Sequence, residues 1–326
     1  MSEHMKKIPV IMDVDTGVDD TMALLVAAQS PRIDLLAATS TFGNTFTGYT
    51  TQNTLNALAI CGRTDIPVAS GTRRPWKKKL RTSPYIHGDT GIGDYVYPED
   101  HREALTGEYA WDLTYRVLME SPEPVVYVSL AAMTNLATTL RKYPEVKSKI
   151  EKVVFMGGEL RGNTAGSQCA SVNIFHDPDS AQYVLTSGVP FHMCTGAAVT
   201  SRVLFSVRDL EEWFGGLETE KDRAVLTMLK FYFEKCGAFG EGENHLNPIH
   251  DPTTVMYLLE PECYPSVPCR CEVELEGLET YGYSLIDLYN IGQWPEKDFN
   301  IRYVTVRDDK RDYLAQQVLK GIKGVL

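Results

Sequence analysis

The stretch Ile8–Gln29, reading IPVIMDVDTGVDDTMALLVAAQ, decides the fold. Ile8, Val10, Ile11 and Met12 form a short apolar run of the kind a buried parallel strand makes, and Met22, Leu24, Leu25 and Ala28 follow at the spacing of an amphipathic helix. Between them lie Asp13, Asp15, Asp19 and Asp20, on the strand-to-helix connection where open α/β sheets bind ligands. An Asp at a helix start is commonly a cap and nothing more, and Asp19 or Asp20 suffices for that. Capping uses one or two of the four. The excess of anions calls for a cation, and because every side-chain donor here is oxygen, a hard divalent ion such as calcium or magnesium is favoured over zinc.

Working outward, strands are expected at Ile33–Thr41, Ile66–Ala69, Val125–Ser129, Val153–Met156 and Pro190–Cys194. Helices are expected at Thr47–Cys61, Tyr109–Glu120, Thr134–Tyr143 and Pro178–Ser187. This alternation implies an α/β fold: a mainly parallel, doubly wound sheet flanked by helices on both faces, with right-handed crossovers. The C-terminal third changes rhythm, with helices at Glu220–Lys235, Pro252–Leu259 and Arg311–Ile322 and strands at Val267–Leu275, Tyr283–Leu288 and Ile301–Val306. No repeat or linker divides the chain, so a single elaborated domain over residues 8–326 is expected, preceded by a flexible N-terminus at 1–7.

The 326 residues are 43% hydrophobic and 23% charged, which suits an ordinary globular chain with a substantial core. A net charge of −11 leaves no basic footprint for nucleic acid, and the one basic cluster, Arg73 to Arg81, reads as a solvated loop. No segment approaches a membrane span and the apolar run near the start is too short for a signal peptide, so cytoplasmic residence is expected. Seven scattered cysteines read as reduced core thiols, and Cys263, Cys269 and Cys271 lack zinc-site spacing.

Two long polar loops, Gly71–His101 with its HGDTGIGD segment and the stretch after Gly157-Gly158, are of a length that is usually functional. Polar residues gather in three places: the aspartate turn; Asn163 to Asp177, with Ser171, Asn173 and His176; and His250-Asp251-Pro252. The last also suits an ordinary helix start, in which Asp caps and Pro opens the first turn.

Taken together, DVDTGVDD, Phe42-Gly43-Asn44, Met133-Thr134-Asn135-Leu136, Val154-Phe155-Met156-Gly157-Gly158, Ser171-Val172-Asn173-Ile174 and His250-Asp251-Pro252 resemble the ordered motifs of the nucleoside hydrolases, the inosine/uridine-preferring nucleoside N-ribohydrolase family. The resemblance runs from the first strand to about Leu259. It implies calcium-dependent hydrolysis of the N-glycosidic bond of ribonucleosides to ribose and free base. Calcium would be held by Asp15, Asp20, Asp251 and the backbone carbonyl of Thr134, an all-oxygen set of the type the opening turn calls for. Asp15 would be the general base and His250 the general acid, with Asn44 holding the attacking water. Asp19, Asn173 and Asp251 would bind the 2′ and 3′ hydroxyls, and Met156 would also line the substrate site. His87 looks like the base-pocket histidine, and a tyrosine such as Tyr232 is a candidate to stack on the base.

One departure concerns the 5′ end of the substrate. Many members carry Glu-Phe-Asn where this chain has Ser171-Val172-Asn173, which leaves Ser171 and Asn163 as the candidates for that contact. Family members are commonly homodimers or homotetramers, and a homo-oligomer is expected. Asp13-Val14-Asp15-Thr16 also matches the nucleophile signature of a haloacid dehalogenase-type phosphatase, although that reading leaves Asp19-Asp20, MGG and HDP without a purpose. A nucleoside- or ribose-binding relative without turnover is the non-enzymatic alternative.

Overall fold

The computed structural model describes residues 6–93, 95–158, 167, 169–236 and 245–326. Met1 to Met5 of the expected flexible N-terminus, Asn163, and Gly237 to Asn244 of the glycine-rich loop lie outside the described residues.

The first half of the chain runs β1 (Ile8–Val14), α1 (Val18–Gln29), β2 (Ile33–Ser40), α2 (Thr47–Ile60), β3 (Val68–Ser70), α3 (Pro84–His87), α4 (Ala110–Glu120), β4 (Val125–Ser129), α5 (Thr134–Lys142) and β5 (Ile150–Met156). It continues with α6 (Val172–His176), α7 (Pro178–Leu185), β6 (Phe191–Cys194), β7 (Leu204–Ser206), α8 (Val207–Phe214), α9 (Glu220–Lys235), β8 (Leu246–Pro248) and α10 (His250–Leu259). The chain ends on β9 (Ser266–Val273), β10 (Ser284–Asp287), β11 (Ile301–Val304) and α11 (Arg311–Lys323). Among the described residues nine strands form one sheet in the order β10-β9-β11-β6-β5-β4-β1-β2-β3, and β7 pairs with β8 in a separate two-stranded antiparallel sheet. From β3 across to β11 every neighbouring pair is parallel, while β9 pairs antiparallel with both β11 and β10.

The β1 sequence explains why it sits centrally. Val10, Met12 and Val14 pack into the core on one face of the sheet and Ile11 into the core on the other, so both faces of the strand are apolar and buried. Helix α1 departs from the expected amphipathic pattern. Residues Val18 to Ala28 are all buried, because α1 is packed against α10, α11 and α2 and has no solvent face to keep polar. The basic loop is also less uniformly solvated than expected. Arg73, Arg74, Lys77, Lys79 and Arg81 are exposed, but Lys78 is half-buried with its ammonium 3.1 Å from the centre of the Phe175 ring. All seven cysteines are unpaired, and among the described residues no helix is long and apolar enough to cross a membrane.

The chain winds outward from β1 through β2 to β3, then returns to lay β4, β5 and β6 on β1's other side. The switch point therefore falls between β1 and β4, and the crevice at their C-terminal ends is where such sheets bind ligands. The aspartate turn leaves β1 at that place. Leu130, just beyond β4, donates its N–H to the Asp13 carbonyl at 2.9 Å, closing the floor of the crevice.

Candidate active site

The turn's four aspartates are all buried. Asp13 is on β1 itself, where its Oδ1 accepts Thr39 Oγ1 and Asn135 Nδ2, each at 2.7 Å. It thereby ties β1 to β2 and to the start of α5. Asp20, in the first turn of α1, accepts the backbone N–H groups of Gly17 (2.9 Å) and Asp15 (3.2 Å), so the same carboxylate closes the helix start and faces the crevice. Asn44, from the turn after β2, gives its N–H to Asp15 Oδ2 at 2.8 Å. Its Nδ2 reaches both Asp15 Oδ1 (3.2 Å) and Asp20 Oδ2 (2.8 Å).

Two glycines make this approach possible. A Cβ on Gly43 would lie 1.7 Å from Asp15 Oδ2, and one on Gly17 would lie 2.5 Å from Asn44 Nδ2 and 2.6 Å from His87 Nδ1. Any larger residue at either place would push the machinery apart.

Asp251 arrives on α10, more than two hundred residues later. It is not the cap of that helix: Ile249 occupies the N-cap and His250 begins the first turn, which frees the Asp251 carboxylate to face Asp19 and Asp20. Oxygens of Asp19, Asp20 and Asp251 lie within 4.8 Å of one another. The N-termini of α1 and α10 both converge there, and their dipoles offset part of the negative charge. Asp19 Oδ2 accepts the Tyr232 hydroxyl at 3.2 Å, and Asp19 Oδ1 is buried with no hydrogen-bond partner among the described residues.

Around this cluster stand neutral donors and imidazoles. His87 Nδ1 accepts the Val18 N–H at 3.2 Å and lies 3.9 Å from Asp19 Oδ1, with its ring 5.4 Å from that of Tyr232. With Nδ1 accepting, the ring proton is on Nε2. His250 Nδ1 pairs with the Thr200 hydroxyl at 2.5 Å. Asn173 gives its Nδ2 to the carbonyls of Leu130 (2.7 Å) and Met156 (3.0 Å), and Ser171 Oγ accepts the Gly158 N–H at 2.8 Å.

Thr134 stands apart from the other expected ligands. Its hydroxyl donates to Asp177 Oδ2 at 2.8 Å, and its carbonyl, inside α5, accepts the Thr138 hydroxyl at 2.7 Å. The reason is helical: carbonyls in the first turn of α5 point along its axis toward residues one turn on. The backbone oxygen at the end of β4 that faces Asn173 is that of Leu130. The expected helix starting at Thr134 was itself a signal that its carbonyl was spoken for. Thr200 and Leu130 carry no sequence signal of their own, since one acts through a single hydroxyl and the other through its backbone.

Crowding sets the electrostatics. Burial, reinforced by the Asp20 charge, holds Asp15 well above the usual carboxylate range and raises Asp19 to about 7. Burial raises Asp20 to about 6 and, with the charges of Asp19 and Asp20, lifts Asp251 well above its ordinary value. Asp13 is raised to about 7, again by burial. Burial pushes the imidazoles the other way, His87 and His176 to about 3 and His250 to about 4. A cluster of converging oxygens that resists ionising together is chemically suited to a hard divalent cation.

A buried carboxylate cluster with neutral donors at the switch point of a doubly wound sheet has the makings of an α/β enzyme active site, one suited to acid–base chemistry. Residues 10–312 match the family model of the inosine-uridine preferring nucleoside hydrolases. The chain is 35% identical over 290 residues to the pyrimidine-specific ribonucleoside hydrolase RihA of Photobacterium profundum, covering 88% of this chain and 91% of that one. It is 37% identical over 286 residues to RihA of an Enterobacter species, covering 87% and 89%. Its fold superposes with a TM-score of 0.84 on a purine-preferring ribonucleoside hydrolase from Gardnerella vaginalis, at 28% identity over 97% of this chain and 98% of that one. The chain belongs to the inosine-uridine preferring nucleoside hydrolase family and is an N-ribosyl hydrolase.

Proposed function

We propose that the chain hydrolyses the N-glycosidic bond of ribonucleosides with the help of calcium, Asp15 serving as general base. The observation that carries this reading is the convergence of Asp15, Asp19, Asp20 and Asp251 with Asn44 in one buried place. Asp15, Asp20 and Asp251 would hold the ion, with the Leu130 carbonyl as the backbone oxygen in preference to that of Thr134. When bound, calcium would lower the pKa of water beside the anomeric carbon and neutralise the carboxylates. Asp15 takes the proton from the attacking water, and Asn44, already bonded to Asp15, orients that water.

As the base departs, positive charge develops on the sugar, and the surrounding carboxylates stabilise it. Asp19, Asn173 and Asp251 grip the 2′ and 3′ hydroxyls, so a deoxyribose would leave buried polar groups unpaired. His87 presents an Nε2–H, and His250 an imidazole oriented by Thr200, for the leaving base. Met156 and Ser171 line the remainder of the sugar site, and Asn163 is the further candidate for the 5′ hydroxyl. The identity to pyrimidine-specific relatives favours uridine or cytidine as substrate. Family membership leaves the phosphatase reading of DVDT without support. The intact set of Asp15, Asp20, Asn44 and Asp251 speaks against a binding protein without turnover. A cytoplasmic homo-oligomer remains the expected form.

The test is release of free base from uridine, cytidine, inosine and adenosine by protein treated with a chelator, before and after calcium is restored. Activity should vanish with the chelator and return with calcium. Full activity in the chelator would overturn the metal's role, and no base release from any member of the panel would overturn the reaction.

A further inference from the structure

His176, the last residue of α6, is 5% exposed and sits with its Nδ1 3.9 Å from Asp15 Oδ2. Its Nδ1 is buried without a hydrogen-bond partner among the described residues. Packing alone does not ask for an imidazole here. The ring meets Phe42 edge-on at 6.4 Å, a contact an apolar side chain would make without the cost of burying a polar atom. The backbone around it is also pinned on both sides. One turn earlier Asn173 is fixed by the Leu130 and Met156 carbonyls, and the next residue, Asp177, accepts from Thr134 Oγ1 at 2.8 Å and from the Trp76 N–H at 3.0 Å. The position of His176 relative to Asp15 is therefore set by the fold.

We propose that His176 is a positioning residue for Asp15, its Nδ1–H closing onto Asp15 Oδ2 when substrate fills the site. A neutral imidazole carries one N–H, and beside a carboxylate, which only accepts, that proton sits on Nδ1. The gap is about 1 Å longer than a hydrogen bond, within the tightening that catalytic contacts undergo on substrate binding. Asp15 Oδ2 already takes the shorter bond from Asn44, 2.8 Å against 3.2 Å at Oδ1. A second donor on Oδ2 makes it the anchored oxygen and leaves Oδ1 the more basic of the two, aimed at the water.

This inference rests on Asp15 being the base, and the experiment separates the two. Steady-state kinetics are measured for H176F, H176N, H176Q and D15N on one nucleoside, with thermal unfolding as a check of folding. The Asn amide reaches the place of Nδ1 and the Gln amide does not. Loss of orientation at the base should lower kcat of H176F and H176Q about 10- to 100-fold with KM changed less than about twofold, while H176N keeps kcat within about threefold. Wild-type kcat in H176F, an H176N as impaired as H176Q, or a loss confined to KM would each overturn the positioning role. Should H176F fail to fold, the contrast between H176N and H176Q still decides. A fully active D15N would instead overturn Asp15 as base, whereas an inactive D15N beside a fully active H176F would remove His176 alone.

Discussion

His250 cannot deliver a proton it does not carry. Burial lowers its imidazole to about 4, so at neutral pH the ring is predominantly neutral. What the residue would offer the leaving base in the proposed reaction is a neutral N–H, whose value would grow as negative charge builds on the departing ring. Thr200 sets which nitrogen is free for that purpose. H250A should therefore lower kcat/KM for uridine or inosine by roughly 10²- to 10⁴-fold, the range of a lost acid–base group. A substrate whose leaving group needs no help, p-nitrophenyl riboside, should lose less than about tenfold. Equal losses on both substrates would show that His250 serves some other purpose. The residue was legible in the sequence only as a His next to an Asp before a Pro. Its protonation state was not, because burial depends on the packing of α10 against α1 and the turn at Thr200.

Helix α2 shows how an element can reach the site without touching the reaction. Asn53 is buried in it, and its Nδ2 bridges the Thr16 carbonyl of the aspartate turn (3.0 Å) and the Thr90 carbonyl of the loop that carries His87 (2.8 Å). N53L strands the buried Thr16 carbonyl, a cost of about 1–3 kcal/mol, and releases the part-buried Thr90 carbonyl to solvent. Hydrogen exchange should quicken in residues 87–93, and KM for nucleosides should rise more than kcat falls, since His87 then wanders. Unchanged exchange in that loop would show that the bridge does not hold it. Elements with a strong period were readable in advance: β4 and α9 fall within the expected bounds, and α2 and α5 differ by one residue at the C-terminal end. The misses have local causes. Helix α8 is short, although it bears Val207, Leu210 and Phe214 at helical spacing behind a Ser206–Asp209 capping box. Helices α3 and α6 are only four and five residues long, too short for any periodicity to register, yet they carry His87, Asn173 and His176. The approach of Asp251 to Asp15 is beyond any local pattern, because it comes from α10 packing against α1 across the fold.

For the molecule as a whole, the aspartate cluster is a liability that the proposed calcium would turn into stability, and the pH dependence of that exchange can be worked out. In the unfolded chain these carboxyls titrate near the ordinary Asp value of about 3.9. In the fold Asp20 titrates at about 6, Asp13 and Asp19 at about 7, and Asp15 and Asp251 are likewise raised. Between about pH 4 and about pH 7 the folded metal-free protein thus holds more protons than the unfolded chain. Their contribution is fully present below the unfolded value and is lost as pH rises through the folded ones. The buried imidazoles His87, His176 and His250 have the opposite slope, since burial depresses them and their penalty fades as pH rises past the unfolded His value. Absolute stability therefore mixes two trends. The difference made by calcium isolates the carboxylates, because the ion binds them deprotonated, and each proton it must displace weakens binding about tenfold per pH unit below that group's pKa. The rise in Tm on adding excess calcium to chelator-treated protein should be slight near about pH 5 and should grow as pH rises through about 6, where Asp20 gives up its proton. It should level off once the carboxylates are fully deprotonated, where calcium at about a hundred times its Kd stabilises by roughly 2.7 kcal/mol. D20N should flatten the curve by removing one ligand and the mutual repulsion together. A calcium-induced shift in Tm that is the same at every pH would mean that the ion is held elsewhere than among these carboxylates.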